Sequence, residues 1–201
     1  MAKRLFDIVF SLAALLLVSP ILIGSAIWVA LDSRGPIFFR QVRVGRGNRE
    51  FRIYKFRTMR PNAERVGPQI TVGADARVTR SGDFLRKYKV DELPQFLNVV
   101  LGDMSVVGPR PEVPRYVALY PAATRDVVLS VRPGITDLAS IEYRDENRLL
   151  ADSVDPEATY VGQIMPAKLA LCEKYVRTRT FFGDLVIIVR TLKAATSPGP
   201  A

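Results

Sequence analysis

Between Ile8 and Leu31 the chain carries no charged residue for 24 positions, and that run limits what the chain can fold into more than any other feature. A helix rising ~1.5 Å per residue would stretch it to about 36 Å, enough for a hydrocarbon layer ~30 Å thick. It is too long for the apolar core of an ordinary signal peptide, and no small-x-small site closes it. Two details speak against a simple crossing. Ser19-Pro20 falls at its middle, where proline removes a helical hydrogen bond and a neighbouring hydroxyl can satisfy the freed carbonyl. Lys3 and Arg4 precede the run, and Arg34, Arg40, Arg43 and Arg46 follow it. Cytoplasmic flanks attract lysine and arginine, so both ends read as facing one side. The sequence therefore predicts a re-entrant helix-break-helix over residues 1–33 with the break at Ser19 and Pro20. A proline-kinked spanning anchor is the alternative.

At 201 residues the chain has room for one further compact domain, expected over 34–196, with a short tail at 197–201. Lysine and arginine outnumber acids 29 to 20, so the partner should be anionic: phosphate, lipid head groups or nucleic acid. There is no histidine, which excludes Ser-His-Asp and Cys-His nucleophiles and histidine-ligated metals. The single cysteine, Cys172, can form neither an internal disulfide nor a multi-thiolate site. Beside Leu169 and Leu171 it reads as a buried apolar side chain. Carboxylates, lysine, arginine, tyrosine and hydroxyls remain, and any metal should be a hard, oxygen-liganded one such as Mg²⁺.

From Arg34 to Arg60 there are nine basic residues and one acid, Glu50. Ile37–Val44 and Glu50–Arg57 look extended, joined by Gly45-Arg46-Gly47-Asn48, so a basic β-hairpin is predicted. It can dock on anionic lipid, and Lys55 and Arg57 can equally reach a phosphorylated substrate. Residues 61–83 read as a surface loop. Near the end of the chain, Phe181, Phe182, Leu185, Val186, Ile188, Val189 and Leu192 leave Arg190 and Lys193 to meet head groups, as an interfacial amphipathic helix would. A core-packed helix is the alternative.

The chemistry concentrates between Leu85 and Pro111. Asp91 and Glu92 are adjacent carboxylates where a helix carrying Phe84, Leu85 and Tyr88 breaks. Pro94 should open the next helix, burying Phe96, Leu97, Val100 and Leu101. Arg86, Lys87, Lys89 and Arg110 crowd the pair. The run Gly102-Asp103-Met104-Ser105-Val106-Val107-Gly108-Pro109-Arg110-Pro111 should take a tight path whose amides converge on an oxyanion. An ordinary capped helix and proline-rich loop explains the same residue types.

Lys55-Phe56-Arg57-Thr58-Met59, Asp91-Glu92-Leu93-Pro94-Gln95, Asn98, Gly102-Asp103-Met104-Ser105, Gly108-Pro109-Arg110-Pro111 and Arg132-Pro133-Gly134-Ile135-Thr136 stand in this order behind the apolar run with Ser19-Pro20. Together they resemble the bacterial sugar transferases, monotopic phosphoglycosyl transferases that begin glycoconjugate or exopolysaccharide assembly on a polyprenol carrier. The resemblance implies an α+β, predominantly helical protein on the cytoplasmic face of the bacterial inner membrane. It further implies transfer of a sugar 1-phosphate from a UDP-sugar to polyprenyl (undecaprenyl) phosphate, with UMP released.

By the same resemblance Asp91 would be the nucleophile, giving an aspartyl-phosphosugar intermediate, and would bridge Mg²⁺ to the diphosphate. Glu92 would position the metal or take a proton from the lipid phosphate. Lys55, Arg57, Arg86 and Arg110 would hold phosphate oxygens. After Thr136 the commoner family run is replaced by Asp137–Asn147, in which Arg144 alone keeps a counterpart among the family's binding residues, so no particular UDP-sugar is implied. Membrane lipids are further partners, a homodimer is compatible, and nucleic acid is not expected.

Two rivals come from other classes. A membrane-tethered, non-enzymatic binder of anionic polymer or lipid would use the basic hairpin, but leaves Asp91-Glu92 without a role. A glycoside hydrolase needs two carboxyls ~5 Å or more apart across a bond, which sequence neighbours rarely provide.

Overall fold

The computed structural model describes residues 2–61, 63 and 75–196. Helix predominates, with three two-stranded sheets among the described residues. The chain divides into two compact units, Met1–Gln41 with Arg52–Gly102, and Val42–Phe51 with Asp103–Ala201. The apolar N-terminal segment and the carboxylate pair therefore belong to one unit.

In the first unit α1 (Ala2–Asp32) is one helix of 31 residues with Pro20 inside it, where the sequence suggested two helices and a break. Its length and composition would let it cross a membrane. Pro20 deprives the Leu16 carbonyl of its amide partner, and the Ser19 hydroxyl donates to that carbonyl at 2.8 Å, so helical assignment continues through the proline. The buried residues of α1 are Asp7, Ser11, Ser25 and Val29. Leu12, Leu16, Leu17, Ile21 and Ile23, between the two pairs, are exposed.

Both ends of α1 are fastened to the segment that carries the carboxylates. Near its start, Arg4 donates to the carbonyls of Val99 at 2.7 Å and Val100 at 3.2 Å, in the last turn of α3 (Gln95–Leu101). A cation is favoured there by the helix dipole. Phe10 meets Phe96 with ring centroids 6.2 Å apart. At its other end, Asp32 accepts from the Ser81 amide at 2.9 Å and the Ser81 hydroxyl at 2.8 Å, in the first turn of α2 (Arg80–Lys87). Val29, Phe56 and Leu85 form the core between these elements, with Leu22, Ala26, Ile37 and Val90 against them. Burying a side chain the size of Leu85 contributes about 2 kcal/mol.

The basic stretch folds as short ladders rather than two long strands. β1 (Phe38–Phe39) pairs antiparallel with β4 (Lys55–Phe56), Phe38 opposite Phe56, and β2 (Val42–Val44) pairs with β3 (Glu50–Arg52). The turn between β2 and β3 holds Gly47 at φ 68° and Asn48 at φ 60°, the left-handed backbone for which glycine and asparagine are suited. Most of the loop expected over 61–83 lies outside the described residues. At its described end α2 has already begun at Arg80, capped by Thr79, whose side chain accepts from the Gly82 amide. The polar run Arg80-Ser81-Gly82-Asp83 concealed that first turn.

In the second unit β5 (Ser105–Val107) and β6 (Gly134–Thr136) pair in parallel, Ser105 opposite Gly134 and Val107 opposite Thr136. Short helices α4 (Pro114–Val117), α5 (Ala122–Val128), α6 (Leu138–Glu142), α7 (Glu146–Ala151) and α8 (Pro156–Thr159) lead through a π turn to α9 (Met165–Thr178) and α10 (Phe181–Thr196). Val107, Tyr116, Val117, Leu169 and Tyr175 are among its buried side chains. Cys172 is buried on α9 as expected. On α10, Ile187 and Ile188 face inward, while Phe182, Val186, Val189 and Leu192 stay exposed. The tail at 197–201 lies outside the described residues.

The oxyanion nest expected between Gly102 and Pro111 is not formed by the glycine amides. Gly108 donates its amide to Thr136 O at 3.0 Å, and Gly102 donates to Asn98 O and Val99 O at 3.1 Å. The two motifs with glycine are there for close approach: a Cβ on Gly134 would lie 2.1 Å from the Gly108 nitrogen.

Candidate active site

The carboxylates sit in a break that the backbone enforces. α2 ends at Lys87, Lys89 turns left-handed at φ 56°, and Val90–Glu92 form one 3-10 turn before Pro94 caps α3. The expected helix at Pro94 is present, but its inward face differs from the one predicted. Gln95, Asn98 and Val99 are buried, and Leu101 is 66% exposed. The reason is polar. Asn98 accepts from the Tyr54 amide at 2.8 Å and donates to Arg52 O at 3.0 Å, satisfying two backbone groups where the chain passes from β3 to β4.

Asp91 is only 7% exposed, and its Oδ1 is buried without a hydrogen-bond partner among the described residues. Burial pushes its pKa above the ordinary carboxylate value, and the neighbouring charge of Glu92 adds to this, while Lys55, Lys89 and Arg86 oppose it. Glu92 accepts from Lys55 Nζ at 2.7 Å, both side chains being largely shielded from water. Arg86 is fixed by a bond from Nε to the Thr58 hydroxyl at 2.8 Å. Burial lowers its pKa and the charge of Asp91 counters that; a guanidinium stays protonated under either influence. Its two Nη groups have no partner among the described residues, leaving a fork for an anion.

The structure thus brings together Asp91, Glu92, Lys55 and Arg86. Arg57, two residues from Lys55, is turned elsewhere. Its buried guanidinium donates to Pro36 O at 2.6 Å, Val29 O at 3.2 Å, Ser33 O at 2.5 Å and the Ser33 hydroxyl at 2.9 Å. It ties off the C-terminal end of α1. Arg110 and Arg144 belong to the second unit. The Arg110 amide donates to Asp137 at 3.3 Å, and Arg144 donates to Ala194 O at 2.7 Å near the end of α10. The roles of Thr58 as holder of Arg86 and of Lys89 as the left-handed hinge were not assigned from sequence.

Among the described residues no group of three or more Asp, Glu, Cys or His side chains could hold a metal ion. Mg²⁺ does not require one, since it takes one or two carboxylates and completes its octahedron with water and substrate phosphates. Asp91 Oδ1, an unpartnered buried oxygen beside a second carboxylate, fits that donor set.

Comparison with known proteins decides the lineage. The family model for bacterial sugar transferases matches residues 1–198. The chain belongs to that family. It is similar to the UDP-N-acetylgalactosamine-undecaprenyl-phosphate N-acetylgalactosaminephosphotransferase of Aeromonas hydrophila, 37% identical over 95% of this chain and 43% of that protein. It is also similar to two proteins named UDP-glucose:undecaprenyl-phosphate glucose-1-phosphate transferase. The one from Caulobacter vibrioides is 36% identical over 94% of this chain and 68% of its own length. The one from Klebsiella pneumoniae is 46% identical over 94% of this chain and 39% of its own length. This bacterial sugar transferase chain therefore spans less than half of two of these three relatives.

Proposed function

We propose that the chain is a phosphoglycosyl transferase moving a sugar 1-phosphate from a UDP-sugar to undecaprenyl phosphate. The observation that carries this reading is the Asp91 carboxylate, buried with one oxygen unpartnered, beside the Lys55–Glu92 pair and the open fork of Arg86. The names of the relatives support the substrate classes.

In the proposed reaction an Asp91 oxygen attacks the β-phosphorus of the UDP-sugar. The bond from that phosphorus to the bridging oxygen breaks, UMP leaves with the electron pair, and an aspartyl-phosphosugar remains. An oxygen of the lipid phosphate then attacks the same phosphorus and frees Asp91. Arg86 holds phosphate oxygens as charge shifts onto UMP. Lys55 is paired with Glu92, and Glu92 would take a proton from the incoming lipid phosphate or help position the metal. Asp91 would hold Mg²⁺, which when bound neutralises charge between the carboxylate and the diphosphate.

The way α1 is fastened supports partial burial in the membrane. Its two ends are bonded to opposite ends of residues 80–101, a stretch that includes Arg80, Asp83, Arg86, Lys87, Lys89, Asp91 and Glu92. Each such charge costs about 2.5–3.5 kcal/mol at a bilayer centre, so this stretch, and both ends of α1 with it, should stay on one aqueous side. The exposed leucines and isoleucines between the two buried pairs would form the part that dips into one leaflet. That favours a re-entrant wedge over a spanning anchor, and a UDP-sugar donor would require that side to be the one with the nucleotide pool. A UMP-release assay across a panel of UDP-sugars, with undecaprenyl phosphate in nanodiscs, tests the activity. Absence of UMP from every donor would reject it.

A further inference from the structure

We propose that Trp28, Phe84 and Tyr88 form a ridge that seats between the head groups and acyl chains of an anionic bilayer and fixes the depth of Asp91. This rests on the membrane-facing reading above.

Trp28 lies on α1, Phe84 on α2 and Tyr88 just past its end, yet the three rings follow one another in series, each tilted against the next. Centroids are 5.3 Å apart from Trp28 to Phe84 and 4.7 Å apart from Phe84 to Tyr88. All three are open, at 41%, 45% and 57% exposure. A run of three exposed aromatics joining two elements is costly in water, and rings with one polar end suit the boundary where one side is apolar and the other wet. The Trp28 indole N–H and the Tyr88 hydroxyl have no hydrogen-bond partner among the described residues.

What borders the ridge points to lipid as its occupant. On α1, Ile27 and Leu31 beside Trp28 are exposed and continue the apolar surface of the wedge. Lys87 Nζ lies 5.6 Å from the Tyr88 centroid, and on and just after α2 Arg80, Lys87 and Lys89 are exposed together with one acid, Asp83. Basic residues close to an anionic surface are drawn to it. Apolar surface on the α1 side of the ridge and an excess of cations on the α2 side match the order of a leaflet read from chains to phosphates. Tyr88 and Asp91 are three residues apart, so their Cα atoms can be separated by at most about 11 Å. A ridge held at the boundary thus holds the carboxylate at the level of lipid-borne phosphate.

Trp28 is the chain's single tryptophan, which makes depth directly readable. The full chain is reconstituted at low density in vesicles of phosphatidylglycerol and phosphatidylethanolamine. Its emission is then quenched by lipids spin-labelled at the head group, high on the chain, or at the chain end, and separately by acrylamide. The largest loss of emission should come from the two shallow labels. A largest loss from the chain-end label, or from acrylamide alone, would overturn the proposal. Protection from all quenchers would do so too, since it would place a second copy over the rings. In a second arm, Phe84→Ser with Tyr88→Ser should deepen or randomise the Trp28 profile and lower UMP release in vesicles several-fold relative to detergent, where no plane has to be met. An unchanged profile with an unchanged vesicle-to-detergent ratio would sink it. Quenching is independent of turnover, so an inactive parent chain would count against the enzymatic reading while leaving the depth measurement intact.

Discussion

Lys55 Nζ lies 2.7 Å from Glu92 Oε1, so the lysine expected to meet substrate is engaged with the second carboxylate of the pair. Two acids in sequence would repel across a poorly solvated break, and the ammonium offsets this. Breaking a buried pair by removing one partner costs about 3–5 kcal/mol, less where some water remains. Lys55→Met should therefore lower stability by about 2 kcal/mol and reduce UMP release, whereas Lys55→Met with Glu92→Gln should recover much of the stability and none of the turnover. Thermal unfolding of the four species, read as a double-mutant cycle, checks the coupling.

Asp91 is held where its charge is disfavoured, with burial as the leading cause. A carboxyl whose folded pKa is raised makes folding less favourable as pH climbs from its unfolded value toward its folded one, and the deficit persists above. Asp91→Asn removes that deficit while keeping the shape. In buffer free of divalent cations the variant should be at least as stable as the parent at pH 7, the gap closing below about pH 4, and its UMP release should be abolished. Substantial residual turnover would count against a covalent aspartyl intermediate.

Arg57 spends both Nη groups on three carbonyls and one hydroxyl around the end of α1. A lysine keeps the charge but lacks the fork. Arg57→Lys should lower stability by about 2–4 kcal/mol, while KM for the UDP-sugar stays within about twofold of the parent. A large rise in KM with unchanged unfolding temperature would return Arg57 to the substrate.

Gly134 packs closely on Gly108 just past the end of β5, and a Cβ on Gly134 would lie 2.1 Å from the Gly108 nitrogen and 2.4 Å from its oxygen. Backbone cannot yield as a side chain can. Gly134→Ala should destabilise the second unit by more than about 3 kcal/mol, visible as a lower unfolding temperature or loss of soluble folded protein.

How much of this was legible beforehand depends on whether a residue's partner was local. The helix break before Asp91, the Pro94 start, the glycine-rich turn and the burial of Cys172 were readable because proline, glycine and apolar spacing act over a few residues. The hydroxyl of Ser19 meeting the carbonyl freed by Pro20 is the same kind of inference, though it preserved the helix where a break was expected. Basic residues were the hardest to read. Arg4, Arg57 and Arg144 each donate to carbonyls near a helix end, at separations of 95, 24 and 50 residues, and nothing in a sequence window reveals such a partner. Asn98 misled for the same reason, since the inward face of α3 follows two distant backbone groups rather than apolar spacing.

The topology of α1 yields to chemistry at its first residues. Position 2 is exposed, and Arg4 two residues later is bonded to the end of α3, so an introduced thiol there reports the side on which the carboxylate segment lies. The native Cys172 should stay silent: it is buried, and burial first, then the charge and hydrogen bond of Asp137, push its thiol well above the usual range. With Ala2→Cys, an impermeant maleimide should label inverted membrane vesicles and leave intact spheroplasts unlabelled, as it should with a second reporter at Arg34→Cys. Labelling of position 2 from the periplasmic side with position 34 still cytoplasmic would mean that α1 crosses, and that the bonds from Arg4 to Val99 and Val100 are not those of the membrane-bound protein.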